Sequence, residues 1–158
     1  PGHVAHQWIS RILASLVFIT IAVLLVVLLA LVMTDTRLQT AAWLRLALVC
    51  FMCSVTATLM GIALGSVSSA RAAVPIANLI YLPLAYLGGL WVPPVAMPNA
   101  INIISQWMPT RAMGELSWAA VNDTGWDVWY LFLLFAWTAV ATIVIVVAQK
   151  SGRQHRVT

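Results

Sequence analysis

PIANLIYLPLAYLGGLWVPPVAMPNAINIISQWMPTR, residues 75–111, begins as an uncharged apolar run and breaks into prolines without passing through an ordinary polar loop. Pro75 to Trp91 is long enough at the helical rise to cross most of a hydrocarbon core of roughly 30 Å. It reads as a membrane span. After it come Gly88, Gly89, Pro93, Pro94 and Pro98, then Ile101, Ile104 and Met108 at a spacing that places them on one side of a short helix. Pro109 makes a second break. A span that runs into a short amphipathic helix at one membrane face has the pattern of a re-entrant or interfacial element, whose backbone must be satisfied by protein or by a wet cavity.

The rest of the chain agrees with that solvent. Hydrophobic residues make up 63% of the 158 and charged residues 8%, against about 25% charged in a soluble domain. This is an integral membrane composition. Lys and Arg outnumber Asp and Glu eight to four, but they stand singly between apolar runs and form no basic stripe, which excludes nucleic acid as a partner. Cys50 and Cys53 lie inside an apolar run without the further ligands of a zinc site and read as small hydrophobes. His3 and His6 read as solvated interfacial residues. The chain begins at Pro1 and enters its first apolar run almost at once, as expected of a piece of a longer membrane protein.

Four spans are expected, at about residues 8–33, 41–67, 75–91 and 126–148, with an outer helical segment at about 93–121. The first is apolar all round, as suits a lipid-facing helix. TDTRLQT, residues 34–40, is a connection of the length found between antiparallel neighbours. The second carries Ser54, Thr56 and Thr58, and the series Gly61, Gly65, Ser69 at intervals of four, which is a helix-packing pattern in lipid. In the third, Asn78 and Tyr81 share a face, Tyr86 returns on the other flank of Asn78, and Pro83 removes a backbone hydrogen bond. With Thr56 and Thr58 these residues form the candidate substrate path. Such a patch suits either a path or polar packing between helices.

In the outer segment, Thr110 is placed to cap a helix in which Arg111 and Glu115 pair four apart. Trp91, Trp107, Trp118, Trp126 and Trp129 cluster in and beside it, at the depth that indole rings prefer. Asn122, Asp123 and Thr124 form a glycosylation sequon that matters only in a secretory pathway. Four crossings put both termini on the side of Arg11, Arg71, Lys150, Arg153 and Arg156, opposite Arg37, Arg45, Arg111 and all four acidic residues. The positive-inside rule then places both ends in the cytoplasm and the tryptophan-rich segment outside the cell's inner (plasma) membrane.

No ionisable residue falls in the middle of a span, an arrangement unlike that of ion-coupled carriers. There is no phosphate-binding GxxxxGK[ST] loop, no HExxH and no nucleophile, base and orienter set. Neither catalytic residue, metal site nor cofactor is expected, and energy for any transport must come from a partner.

The span PIANLIYLPLAYLGGLWVPP, the following AMPNAINIISQWMPTRAMGEL, one closing span and a short basic tail resemble, in order, the carboxy-terminal half of permeases of the type-2 ABC exporter family. Gly88, Gly89, Leu90, Trp91, Val92, Pro93, Met97, Pro98, Trp107 and Pro109 occupy that family's motif positions, with Gly88 standing where Ser is frequent. The specific part of the likeness covers about a quarter of the chain. It implies an all-α integral membrane fold whose four spans are the last four of six, plus extracellular re-entrant helices between the final two. It further implies a second permease half, identical or paralogous, and a cytoplasmic ATPase subunit. Gly88, Gly89, Pro93, Pro94, Pro98, Trp107 and Pro109 would then form the outer gate. The substrate would be amphipathic or apolar: a drug-like molecule, a lipid or a lipid-linked glycan. A non-transporting membrane scaffold is the alternative, and a membrane enzyme comes third because its acid-base groups would be confined to Glu115, Asp123, Asp127 and the terminal His residues.

Overall fold

A computed structural model describes the backbone at residues 2–33, 38–69 and 71–154, and side chains at all of these except 2–8, 11, 12, 30 and 151–154. Asp35 and Arg37, and the side chains of His3, His6, Arg11, Arg153 and Arg156, lie outside the described residues. Six α-helices and one 3-10 turn follow in order. They are α1 (Gly2–Met33), α2 (Thr40–Val67), α3 (Ala73–Leu87), the turn Pro94–Ala96, α4 (Asn99–Ser105), α5 (Pro109–Asn122) and α6 (Val128–Gln154). No strand occurs among the described residues.

Among the described residues, three helices are long and apolar enough to cross a membrane, over Leu13–Met33, Thr40–Val67 and Val128–Lys150. α1 holds no Gly or Pro between Ile9 and Met33, and no described residue of Leu13–Met33 is buried. Its surface is that of a helix whose solvent is lipid.

α2 and α6 form the tightest pair. Ala42, Val49, Thr56 and Ala63 are all buried, one every seven residues along α2. α6 answers with Leu134, Ala141 and Ile145, also buried. A seven-residue period keeps one narrow seam facing a partner at a shallow crossing angle. Val49 clusters with Leu134, Thr56 meets Thr138, and Ala63 clusters with Ala141 and Ile145. Because contacts advance together along both helices, α2 and α6 run parallel, and α3 with the segment after it must make the return journey. Of the Gly61, Gly65, Ser69 series, the two glycines lie on another face of α2 from this seam and Ser69 falls beyond the end of the helix. Gly61 and Gly65 border an open groove of about 890 Å³ against Ala14, Ser15, Phe18 and Ile19 of α1, and a Cβ on either glycine would meet nothing within 4 Å.

α3 is shorter than the expected third span. Its 15 residues rise only about 22 Å. Pro83 sits inside it, yet the helix continues past this residue to Leu87, four residues before the expected end at Trp91. The return is completed by the segment that follows. Leu116 and Ala120 of α5 pack in the same cluster as Val49 and Leu134. Val49 stands nine residues past the start of α2 and Leu134 six past the start of α6, roughly 14 and 9 Å inside the two helices. In the cap made by the 3-10 turn, α4 and α5, it is α5 that is sunk between α2 and α6 and does not sit beyond their ends.

Candidate functional site

The chain stops being α3 for a reason that can be followed atom by atom. A helix leaves its last four carbonyls without intrahelical partners, and here they lie where protein has to supply them. Gly89, with φ at +80°, takes the left-handed conformation that glycine adopts without strain. Its N–H donates to the Tyr86 carbonyl at 3.1 Å, and the Leu90 N–H donates to Ala85 at 3.1 Å, the paired bonds of a Schellman ending. The Leu84 carbonyl accepts the Gly88 N–H at 2.8 Å and the Thr110 hydroxyl at 2.6 Å. The Leu87 carbonyl accepts the Ser105 hydroxyl. All four carbonyls are satisfied, two of them by hydroxyls from the cap.

Thr110 thus holds α3 and does not cap α5. The residue before α5 is Met108 in extended conformation, followed by Pro109 at the first helical position, where its missing N–H costs nothing. This corrects the expectation of a Thr110 cap. Of the expected apolar face, Ile101 and Met108 are half-buried but Ile104 is exposed. The fully buried residue of α4 is Ser105, because the Leu87 carbonyl and Arg111 both need a polar partner there.

Arg111 is the centre of this arrangement, only 7% exposed. Its Nε donates to Glu115 Oε1 at 2.8 Å, the predicted pair. Its Nη1 donates to Asn102 Oδ1 at 3.3 Å and to Ser105 Oγ at 3.2 Å. A continuous polar chain therefore runs from the Glu115 carboxylate through the guanidinium and the Ser105 hydroxyl to the end of α3. Each link polarises the next in a medium of low dielectric. Close approach reinforces it: a Cβ on Gly88 would lie 2.6 Å from Thr110 Cβ, and one on Gly114 would lie 3.3 Å from the Gly88 carbonyl oxygen.

Of the predicted gate residues, Gly88, Gly89 and Pro109 lie in this junction, with Pro94 packed over Gly89. Pro93 and Pro98 precede the 3-10 turn and α4. Trp107 is exposed, stacked edge-on against Trp129 at 4.9 Å, and its carbonyl accepts from Trp137 Nε1 at 3.1 Å. Trp118 is also exposed. Arg45 of α2 pairs with Asp123, which ends α5 in the left-handed conformation.

The predicted path residues are not brought together. Asn78 and Tyr81 are exposed on α3 and Tyr86 is half-buried. Thr56 is buried in the α2–α6 seam, bonded to Thr138 at 2.8 Å. Thr58 borders the groove against α1, its hydroxyl buried and unpartnered. Sequence reasoning missed Ser105, Asn102 and the lock they form, whose only signal was a serine and an asparagine within an Ile-rich turn. No three His, Cys, Asp or Glu side chains come together as a metal site among the described residues.

Long apolar helices around a sunken, internally satisfied cap define a multi-pass membrane protein. Comparison with known proteins gives the family. A family model described as ABC-2 type transporter matches residues 3–121, and the chain belongs to that family, the membrane permeases of ABC-2 transport systems. The chain is 25% identical over 122 residues to YvfS of Bacillus subtilis (strain 168), which carries the provisional name of a transport permease; the alignment covers 77% of this chain and 49% of that one. The chain thus spans about half the length of the curated relative it matches. No solved structure matches it.

Proposed function

We propose that this permease forms part of the translocation pathway of an ATP-driven exporter for an amphipathic or apolar substrate. A separate cytoplasmic subunit hydrolyses ATP, and a second permease half, identical or paralogous, completes the pathway. The observation that supports this reading is the cap, whose α5 packs beside Val49 and Leu134 and whose hydroxyls satisfy the carbonyls at the end of α3. Irregular backbone at membrane depth is tolerated where protein surrounds it or a cavity adjoins it, as at the end of a pathway.

On this reading the cap is a re-entrant element at the extracellular end, α3 crosses with it as the third of four spans, and both chain ends are cytoplasmic in the inner (plasma) membrane. Gly88, Gly89, Pro93, Pro94, Pro98, Trp107 and Pro109 belong to the outer gate. Asn78 and Tyr81, exposed on α3, face the path, with Tyr86 at its outer end. Thr56 and Thr58 stand one helix behind them. A drug-like molecule, a lipid or a lipid-linked glycan fits a route without fixed intramembrane charge. ATP changes access at the interface between halves because partner closure favours one arrangement over the other.

The test is co-purification with an ATPase subunit encoded beside it, followed by ATP hydrolysis in lipid. Hydrolysis stimulated by apolar or amphipathic compounds is expected. A chain that holds no ATPase and is found with an unrelated membrane complex would instead favour the scaffold reading.

A further inference from the structure

The cap looks at first like a flap, hinged on the loops at 88–93 and 123–127. The contacts argue otherwise. The junction of α4 and α5 is tied through Ser105 and Thr110 to the last turn of α3, and the far end through Asp123 to Arg45 of α2. Its middle is part of the core, with Leu116 and Ala120 packed on Val49 and Leu134. Trp137 of α6 donates to the Trp107 carbonyl between α4 and α5. Arg111, buried where these ties converge, joins α4 to α5 through Asn102, Ser105 and Glu115. In contrast, Leu79, Ile80, Tyr81 and Leu82, in the middle of α3, are exposed. α3 is pinned at its capped end and exposed across its middle.

We infer that the cap is a fixed wall of one rigid body comprising α2, the continuous helix α3, α4, α5 and α6, and that Arg111 is the positioning residue that keeps it so. The outer gate then opens by separation of this body from its counterpart and not by lifting of the cap. Packed elements with satisfied polar groups have discrete arrangements and do not bend continuously, so motion is expressed at interfaces. The lock itself needs no assumption about energy source, although its consequence for gating rests on the exporter reading.

Pulsed electron paramagnetic resonance on pairs of nitroxide labels tests this in the protein reconstituted in lipid nanodiscs. Val95 on the cap is 96% exposed, Leu79 on α3 73% and Phe132 on α6 60%, so all three accept labels. The Val95–Leu79 and Val95–Phe132 distances should each be narrow and should shift by less than about 2 Å between ATP-free and ATP-bound states. R111M should broaden both distributions, lower transport on the order of tenfold and leave substrate-stimulated ATP hydrolysis in place. R111K, a point charge in place of a fork, should fall between. S105A, a gentler change that spares the Arg111–Glu115 pair, should broaden Val95–Leu79 alone. The nucleotide-free spectra test the lock whatever drives transport, and so separate its failure from failure of the exporter reading. A shift above about 5 Å in either wild-type distance on ATP binding, or spectra of S105A and R111M as sharp as the wild type's, would overturn the inference.

Discussion

Arg111 shows how a charge can be kept inside the protein: its guanidinium is surrounded by a carboxylate, an amide oxygen and a hydroxyl, each at hydrogen-bond distance. Truncating it would strand those partners, and a buried polar group such as the Ser105 hydroxyl left without its donor costs about 1–3 kcal/mol. R111A should therefore lower the thermal midpoint in detergent far more than E115Q, because Glu115 is one-third exposed and its partner would keep two other acceptors. Gly88 makes a second residue-scale prediction. A methyl there would overlap Thr110 Cβ, so G88A should cost about 1–3 kcal/mol, read from the same melts. The G88A/T110G pair should cost less than the sum of its singles, since the second change removes the atom that the first one strikes. Thr56 is expected to matter less. The Thr56–Thr138 bond crosses between helices in an apolar medium, where such bonds average about 0.6 kcal/mol, so T56V should fall within about 1.7 kcal/mol of wild type.

At the scale of elements, the two glycine positions of α2 and the alanine between them make opposite predictions. Ala63 sits in the seam against Ala141 and Ile145, and A63L should pry α2 from α6 at a cost of about 1–3 kcal/mol. Gly61 and Gly65 have open space before them, so G65A should be neutral or stabilising by up to about 1 kcal/mol in the isolated chain. Should G65A instead disrupt the assembled transporter, another helix occupies that groove. The sequence made the long helices legible because apolar runs of such length have few other outcomes in lipid, and α2 ends at Val67 where it was expected to. It also pointed to the pair of Arg111 and Glu115, a local spacing. What it concealed was set by distant atoms. The end of α3 depends on hydroxyls 18 and 26 residues further along, and no periodicity encodes such a meeting. The seam was missed for a related reason: Ala42, Val49, Thr56 and Ala63 are modest residues at a seven-residue period, and the more conspicuous glycines drew the eye to another face.

For the whole molecule, the parallel course of α2 and α6 requires that Thr40, Val128 and the cap share one side, with Val67 toward the other. Thiols introduced at Asn99 and Thr124, both exposed, should react with an impermeant maleimide from outside intact cells. One at Ser69, also exposed, should react only once the membrane is opened. Labelling of all three from the same side would refute the topology. α1 contributes least to the body: its apolar surface is turned outward along its length, and it neighbours α2 across the open groove. Stability measured on this chain should consequently depend strongly on detergent or lipid, with α1 the first helix to lose hydrogen-exchange protection.

The manner in which α3 is fastened has an evolutionary consequence. The lock grips main-chain oxygens at Leu84 and Leu87, atoms that every amino acid possesses, and it asks of the other partner only a small hydroxyl. On the exporter reading, side chains along the exposed middle of α3 are thereby released from any duty in closing the barrier. Mutation there would remodel what the route admits while the seal stays intact, and a lineage of such proteins would be free to diversify its cargo without first becoming leaky.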